Sequence, residues 1–80
     1  MKKRKKHQTR PVAESDREFV LAAAAALFRE RGYERTTVKE IAEACDMLPG
    51  SLHYRYPSKE SLLVDLMRLA LEQASSALAR

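Results

Sequence analysis

The feature that most constrains this chain is a pair of short helical segments separated by three residues. Val38, Ile41, Ala42 and Cys45 recur at i, i+3, i+4 and i+7, so a helix over residues 38–45 turns all four toward a core. Thr37 and Glu40 form a capping-box pattern at its start. Asp46-Met47-Leu48 follows as a tight turn, and aspartate tolerates the left-handed backbone better than most residues that carry a side chain. Pro49 suits the first position of a new helix, which runs to Tyr56 and is stopped by Pro57. Leu52 points inward, leaving Ser51, His53, Tyr54 and Arg55 to face outward or sideways.

Two further helices frame this pair. The first reads from Ser15 to Arg31, opened by a Ser15–Glu18 capping box, with Val20, Ala23, Ala24, Leu27 and Phe28 on one face and Gly32 as its stop. Tyr33 packs at its end, and the link runs on through Glu34, Arg35 and Thr36. The fourth helix starts at Lys59, capped by Ser58. It carries two apolar faces. Leu62, Leu66, Leu69 and Ala70 form one; Leu63, Met67, Leu71, Ala74 and Leu78 form the other. One face packs on the first three helices, and the other is left for a further domain or subunit. The expected fold is therefore all-α: a three-helix, homeodomain-like helix-turn-helix domain over 15–58, then a connecting helix over 59–80. Cys45 and Tyr56 belong to the core of this arrangement, and Met47 and Met67 fill gaps.

Charge is distributed unevenly. Lys2, Lys3, Arg4, Lys5, Lys6 and Arg10 stand among the first ten residues with no acid. The other nine of the fifteen bases share the remaining seventy residues with all eleven acids, so that part carries −2 against +6 for the start. This is a near-neutral domain with a cationic arm, residues 1–14, that has too few apolar residues to collapse and is expected to be disordered when unbound. Such an arm neutralises phosphates on nucleic acid; a solubilising tail is the plainer reading.

Other functions find little support. One cysteine and two histidines, His7 and His53, make no disulfide framework and no metal-ligand cluster. No nucleophile–base pair or carboxylate pair sits at a productive spacing, so neither an enzyme nor a cofactor is implied. No apolar run is long enough to span a membrane. The basic start and the alanine-rich stretch after it resemble a secretory signal only superficially, because Glu14, Asp16 and Glu18 interrupt it. A cytoplasmic protein is expected.

The helix-turn-helix pair carries the functional reading. In that motif the second helix lies in the major groove of DNA and the first braces it on the backbone. From Met47 to Lys59 there is no acid, while Arg55 and Lys59 are basic. Pro49, Gly50 and Ser51 are compact and allow close approach to base edges, and His53 and Tyr54 offer donors and aromatic surface.

Thr36-Thr37-Val38, Ile41-Ala42, Gly50-Ser51-Leu52, Tyr54, Tyr56-Pro57-Ser58-Lys59-Glu60 and Leu62, with Ala24, Leu27, Phe28 and Gly32-Tyr33 before them, resemble the N-terminal domain of tetracycline-repressor (TetR) family regulators. The resemblance covers residues 15–65. It implies a transcription regulator, usually a repressor, that acts as a homodimer on a palindromic double-stranded DNA operator. It further implies a small-molecule inducer, bound in a helical C-terminal domain that this chain lacks. By position it places Thr37 and Lys39 on the DNA backbone, Pro49, Gly50 and Ser51 near bases, His53 and Tyr54 on phosphates or bases, and Lys59 on a phosphate at the start of the fourth helix. The chain departs from the family in three places: Asp46 where glycine is frequent, Leu48 where a serine cap is frequent, and His53 where tyrosine is usual. A rival reading also stays open, a helical interaction or dimerisation module that docks through the fourth helix and carries a solubilising tail.

Overall fold

The computed structural model describes residues 12–79 of the 80-residue chain, with backbone only at 14 and 77–79. Among the described residues there are four α-helices, α1 (Arg17–Arg31), α2 (Val38–Ala44), α3 (Pro49–Arg55) and α4 (Lys59–Ala79), preceded by a 3-10 turn at Glu14–Asp16. α2 packs on α3 and α1, and α1 packs on α4. The all-α helix-turn-helix expectation holds.

The core draws on every helix. Val20, Leu21 and Ala24 come from α1, Val38, Ile41 and Ala42 from α2, Leu52 from α3, and Leu62 and Leu69 from α4. Cys45, Met47 and Tyr56 fill the spaces at the helix ends. Burying such side chains stabilises a domain by about 1.5–3 kcal/mol each before the opposing chain entropy is counted. Leu21 belongs to this core although the face read for α1 omits it.

Local signals explain most boundaries. The Thr37 hydroxyl accepts from the Glu40 N–H at 3.1 Å, and the Glu40 carboxylate accepts from the Thr37 N–H at 3.1 Å, a complete capping box. Ser58 opens α4 in the same way, with Ser61 in the reciprocal place: the Ser61 N–H donates to Ser58 Oγ at 3.1 Å and the Ser58 N–H to Ser61 Oγ at 3.2 Å. Asp46 takes φ 60°, the left-handed turn expected of it. Gly32 ends α1 at φ 92° and ψ 149°, a region that side chains essentially exclude.

The structure corrects the start of α1. No Ser15–Glu18 box forms. The 3-10 turn gives residues 14–16 helical backbone, whereas a capping residue needs an extended one. Asp16 takes the N-cap position at φ −89° and ψ −1°, and its carboxylate turns back to accept from the Ala13 N–H at 2.9 Å. Val12, ahead of this turn, is partly buried against the core. On α4, Ala70 is exposed rather than part of the packed face, which ends at Leu69.

Candidate nucleic-acid interface

α3 is a seven-residue helix pinned on one side and open on the other. Leu48 takes the N-cap position with extended backbone and no side-chain cap, and Pro49 starts the helix without needing a donor. Leu52 and Tyr56, four residues apart, face the core. Gly50, His53 and Tyr54, at i, i+3 and i+4, form the exposed stripe opposite. Tyr54 is 91% exposed, so its ring contributes nothing to the interior. Pro49, Ser51 and Arg55 flank the stripe half-buried, and the Arg55 guanidinium lies 5.7 Å from the centre of the Tyr56 ring.

Gly50 is informative. A Cβ built there meets nothing within 4 Å, and its φ is not in the left-handed region. The fold therefore has no steric need for glycine, which helices disfavour relative to alanine by up to ~1 kcal/mol. At the start of α2, Thr37 and Lys39 are also exposed. The Thr37 oxygen is already engaged as a cap, which leaves its O–H to donate outward.

Two of the expected contact residues have internal partners that spacing does not reveal. Lys59 Nζ donates to the carbonyls of Tyr33 at 2.6 Å and Glu34 at 3.3 Å, and sits 4.4 Å from the centre of the Tyr33 ring. Lys59 thus ties the α1–α2 link to the start of α4, with one ammonium proton left over. Ser51 Oγ accepts from the Val12 N–H at 3.0 Å. The arm residues Lys2, Lys3, Arg4, Lys5, Lys6 and Arg10 lie outside the described residues.

A polar cluster behind α3 went unread in the sequence. Arg17 on α1 holds both oxygens of Asp65 on α4, through Nε at 3.0 Å and Nη2 at 2.9 Å, and its Nη1 reaches Glu72 at 3.0 Å. The Tyr56 hydroxyl donates to Asp65 Oδ2 at 2.6 Å. The Arg17 bonds hold the Asp65 carboxyl below the usual carboxylate range. Burial, then the bond to Asp65, pushes the Tyr56 phenol up to about 12. The cluster fixes the C-terminal end of α3 to both long helices. One signal was available: Asp65 stands on the same face of the fourth helix as Leu62, Leu66 and Leu69, where a carboxylate needs a partner.

Among the described residues, no group of histidine, cysteine or acidic side chains is placed to hold a metal ion. Nor is any helix among them long and apolar enough to cross a membrane.

Residues 20–66, from the core of α1 through α2 and α3 into α4, match the family described as "Bacterial regulatory proteins, tetR family". The chain belongs to the TetR family. Its two short helices, α2 and α3, lie wholly within the matched segment. It is 47% identical over 49 residues to the HTH-type transcriptional repressor KstR2 of Rhodococcus jostii, covering 61% of this chain and 24% of that protein. It is 44% identical over 54 residues to KstR2 of Mycobacterium tuberculosis, covering 68% of this chain and 27% of that one. The HTH-type transcriptional regulator UidR of Escherichia coli is 34% identical over 68 residues, covering 85% of this chain and 33% of UidR. The chain thus spans only about a quarter to a third of the length of these three relatives. No solved structure gives a significant match.

Proposed function

We propose that the chain binds double-stranded DNA sequence-specifically by seating α3 in the major groove, with Thr37 and Lys39 of α2 on the flanking backbone. Gly50 and Ser51 approach the base edges with Pro49 beside them, His53 and Tyr54 contact bases or phosphates, Arg55 adds positive charge on the flank, and Lys59 keeps one N–H for a phosphate. In this reading the protein is a transcriptional repressor, as the names of the KstR2 relatives say of them. It acts as a homodimer on a palindromic operator and is released by a small-molecule inducer held in a domain outside this chain.

The observation that carries the reading is the Gly50–His53–Tyr54 stripe: a fully exposed tyrosine and a glycine with no internal purpose share one face of a helix. Around it, residues 47–59 contain no acid to repel phosphate. The dimer has support of its own. Val64, Met67 and Leu71 of α4 are exposed, Leu71 at 71%, on a helix whose other side is packed.

The test is selection of a binding sequence from a random duplex library, followed by fluorescence anisotropy across a salt series. Tyr54→Ala should weaken the selected site by tenfold or more, on the order of 1–3 kcal/mol, and relax its sequence preference. Lys39→Ala should weaken all sequences alike and lower the salt slope by about 1. Failure to enrich any sequence, together with a silent Tyr54→Ala, would overturn the proposal.

A further inference from the structure

Leu48 stands in the turn that leads into α3, and two tasks are open to a side chain there: capping the helix or filling the core. It performs neither. Its backbone is extended, φ −68° and ψ 123°, as a cap requires, but it makes no side-chain cap. Serine, threonine, aspartate or asparagine would supply one. Burial does not offset the loss. Leu48 is 41% exposed, while Met47 beside it and Leu52 one turn later are fully buried. Other side chains thus fill the core at this corner. What the fold takes from Leu48 is its backbone, whose carbonyl accepts from the Leu52 N–H at 3.0 Å. Any residue supplies that bond, so the exposed leucine side chain is left without an internal purpose.

We infer that Leu48 is a specificity-determining residue, which packs against the C5-methyl group of a thymine in the major groove. The inference rests on the DNA reading above and adds to it the base that the leading end of α3 selects. Leu48 directly precedes Pro49 and Gly50, and in a helix-turn-helix the first residues of the second helix reach the base edges. Gly50, two residues on, is exposed and carries no side chain to hold the DNA away. The chemistry narrows the partner further. The thymine methyl is the apolar mark in the major-groove code, and the other marks are hydrogen-bond donors and acceptors. Leucine can pair with none of those, and covering one would strip its water without replacement. Against a methyl the same side chain removes apolar surface from water on both partners, which amounts to about fourfold in affinity for one methyl group.

The experiment replaces each thymine of the selected duplex in turn by uracil, which removes one methyl and leaves every hydrogen-bonding group in place. Binding is read by fluorescence anisotropy for the full chain, Leu48→Ala and Leu48→Ser. At one or more thymines, uracil should weaken the full chain about fourfold and weaken neither variant. That non-additivity is expected of two groups in contact. Uracil at the other thymines should affect all three proteins alike. The fold responds separately. Leu48→Ser should raise the urea midpoint, because serine supplies the missing cap, and Leu48→Ala should leave it unchanged. If no thymine distinguishes the full chain from the variants, the inference is overturned. So it is if both variants lower the urea midpoint, which would make Leu48 a packing residue of the fold. If Tyr54→Ala still destroys specific binding in either case, the DNA reading survives alone. If the full chain binds no duplex, both fail together.

Discussion

At the scale of single residues, the two glycines make opposite demands. Gly32 sits at φ 92°, so a side chain there is strained even though the space around it is open. Gly32→Ala should destabilise the domain by about 1–3 kcal/mol, read from urea unfolding. Gly50 has ordinary φ and equally open space. Gly50→Ala should raise the melting temperature through as much as ~1 kcal/mol of helix preference. The same change should weaken duplex binding about tenfold, because the added methyl occupies space reserved for close approach of the DNA. Stability and binding moving in opposite directions is the diagnostic. A stabilised variant that binds as tightly as the parent would remove Gly50 from the interface. Thr36 is a third case of internal use. It is fully buried, and its hydroxyl donates to the Gly32 carbonyl at 2.9 Å, which locks the link after α1.

At the scale of elements, what sequence reveals is what neighbours in the chain decide. The α2 box, the Ser58 cap, the left-handed Asp46 and the proline start of α3 each depend on residues within four positions, and each was readable. The first helix misled because Asp16, not Ser15, captures the turn by bonding back to Ala13. The contacts that position α3 were not readable. Val12 with Ser51, Lys59 with Tyr33, and Arg17 with Asp65 are 26 to 48 residues apart. Periodicity says that a face is buried, not which polar group waits opposite it. The same locality gives a testable contrast at the two ends of α2. Thr37→Ala should cost about 1 kcal/mol by leaving the Glu40 N–H uncapped. Asp46→Gly should stabilise by up to about 1 kcal/mol, because glycine takes positive φ without the steric penalty. Urea unfolding of both variants checks the pair, and a destabilising Asp46→Gly would show that Asp46 is kept for a contact rather than tolerated.

At the scale of the whole molecule, the placement of α3 depends on the Arg17–Asp65–Tyr56 cluster, because it alone joins α1, the end of α3 and α4 through polar groups among the described residues. Its pH limits follow from the two shifts. Asp65 is depressed, chiefly by the Arg17 hydrogen bonds, so the folded state binds protons less readily than the unfolded chain. Its stabilisation is complete above the ordinary aspartate value of about 3.9 and is lost as pH falls through the lower folded value. Glu40, depressed chiefly by the bond from the Thr37 N–H, adds to the same acid limb. Tyr56 is raised to about 12, so its stabilisation is complete below the ordinary tyrosine value of about 10 and fades as pH climbs toward the folded value. Tyr33, raised by burial, fades in the same direction. Across the neutral range, then, the cluster is intact and these groups leave stability flat. Asp65→Asn should destabilise at pH 7 by roughly 1–3 kcal/mol, since it takes the charge from a bidentate arginine contact. It should also shrink the acid limb without removing it, because Glu40 still titrates. Tyr56→Phe should leave the acid limb untouched and shrink the alkaline one. Urea midpoints from pH 3 to 11 separate these outcomes. An acid limb that is identical in Asp65→Asn would mean that the cluster does not hold the helices together, and that α3 is kept in place by Leu52 and the apolar core alone.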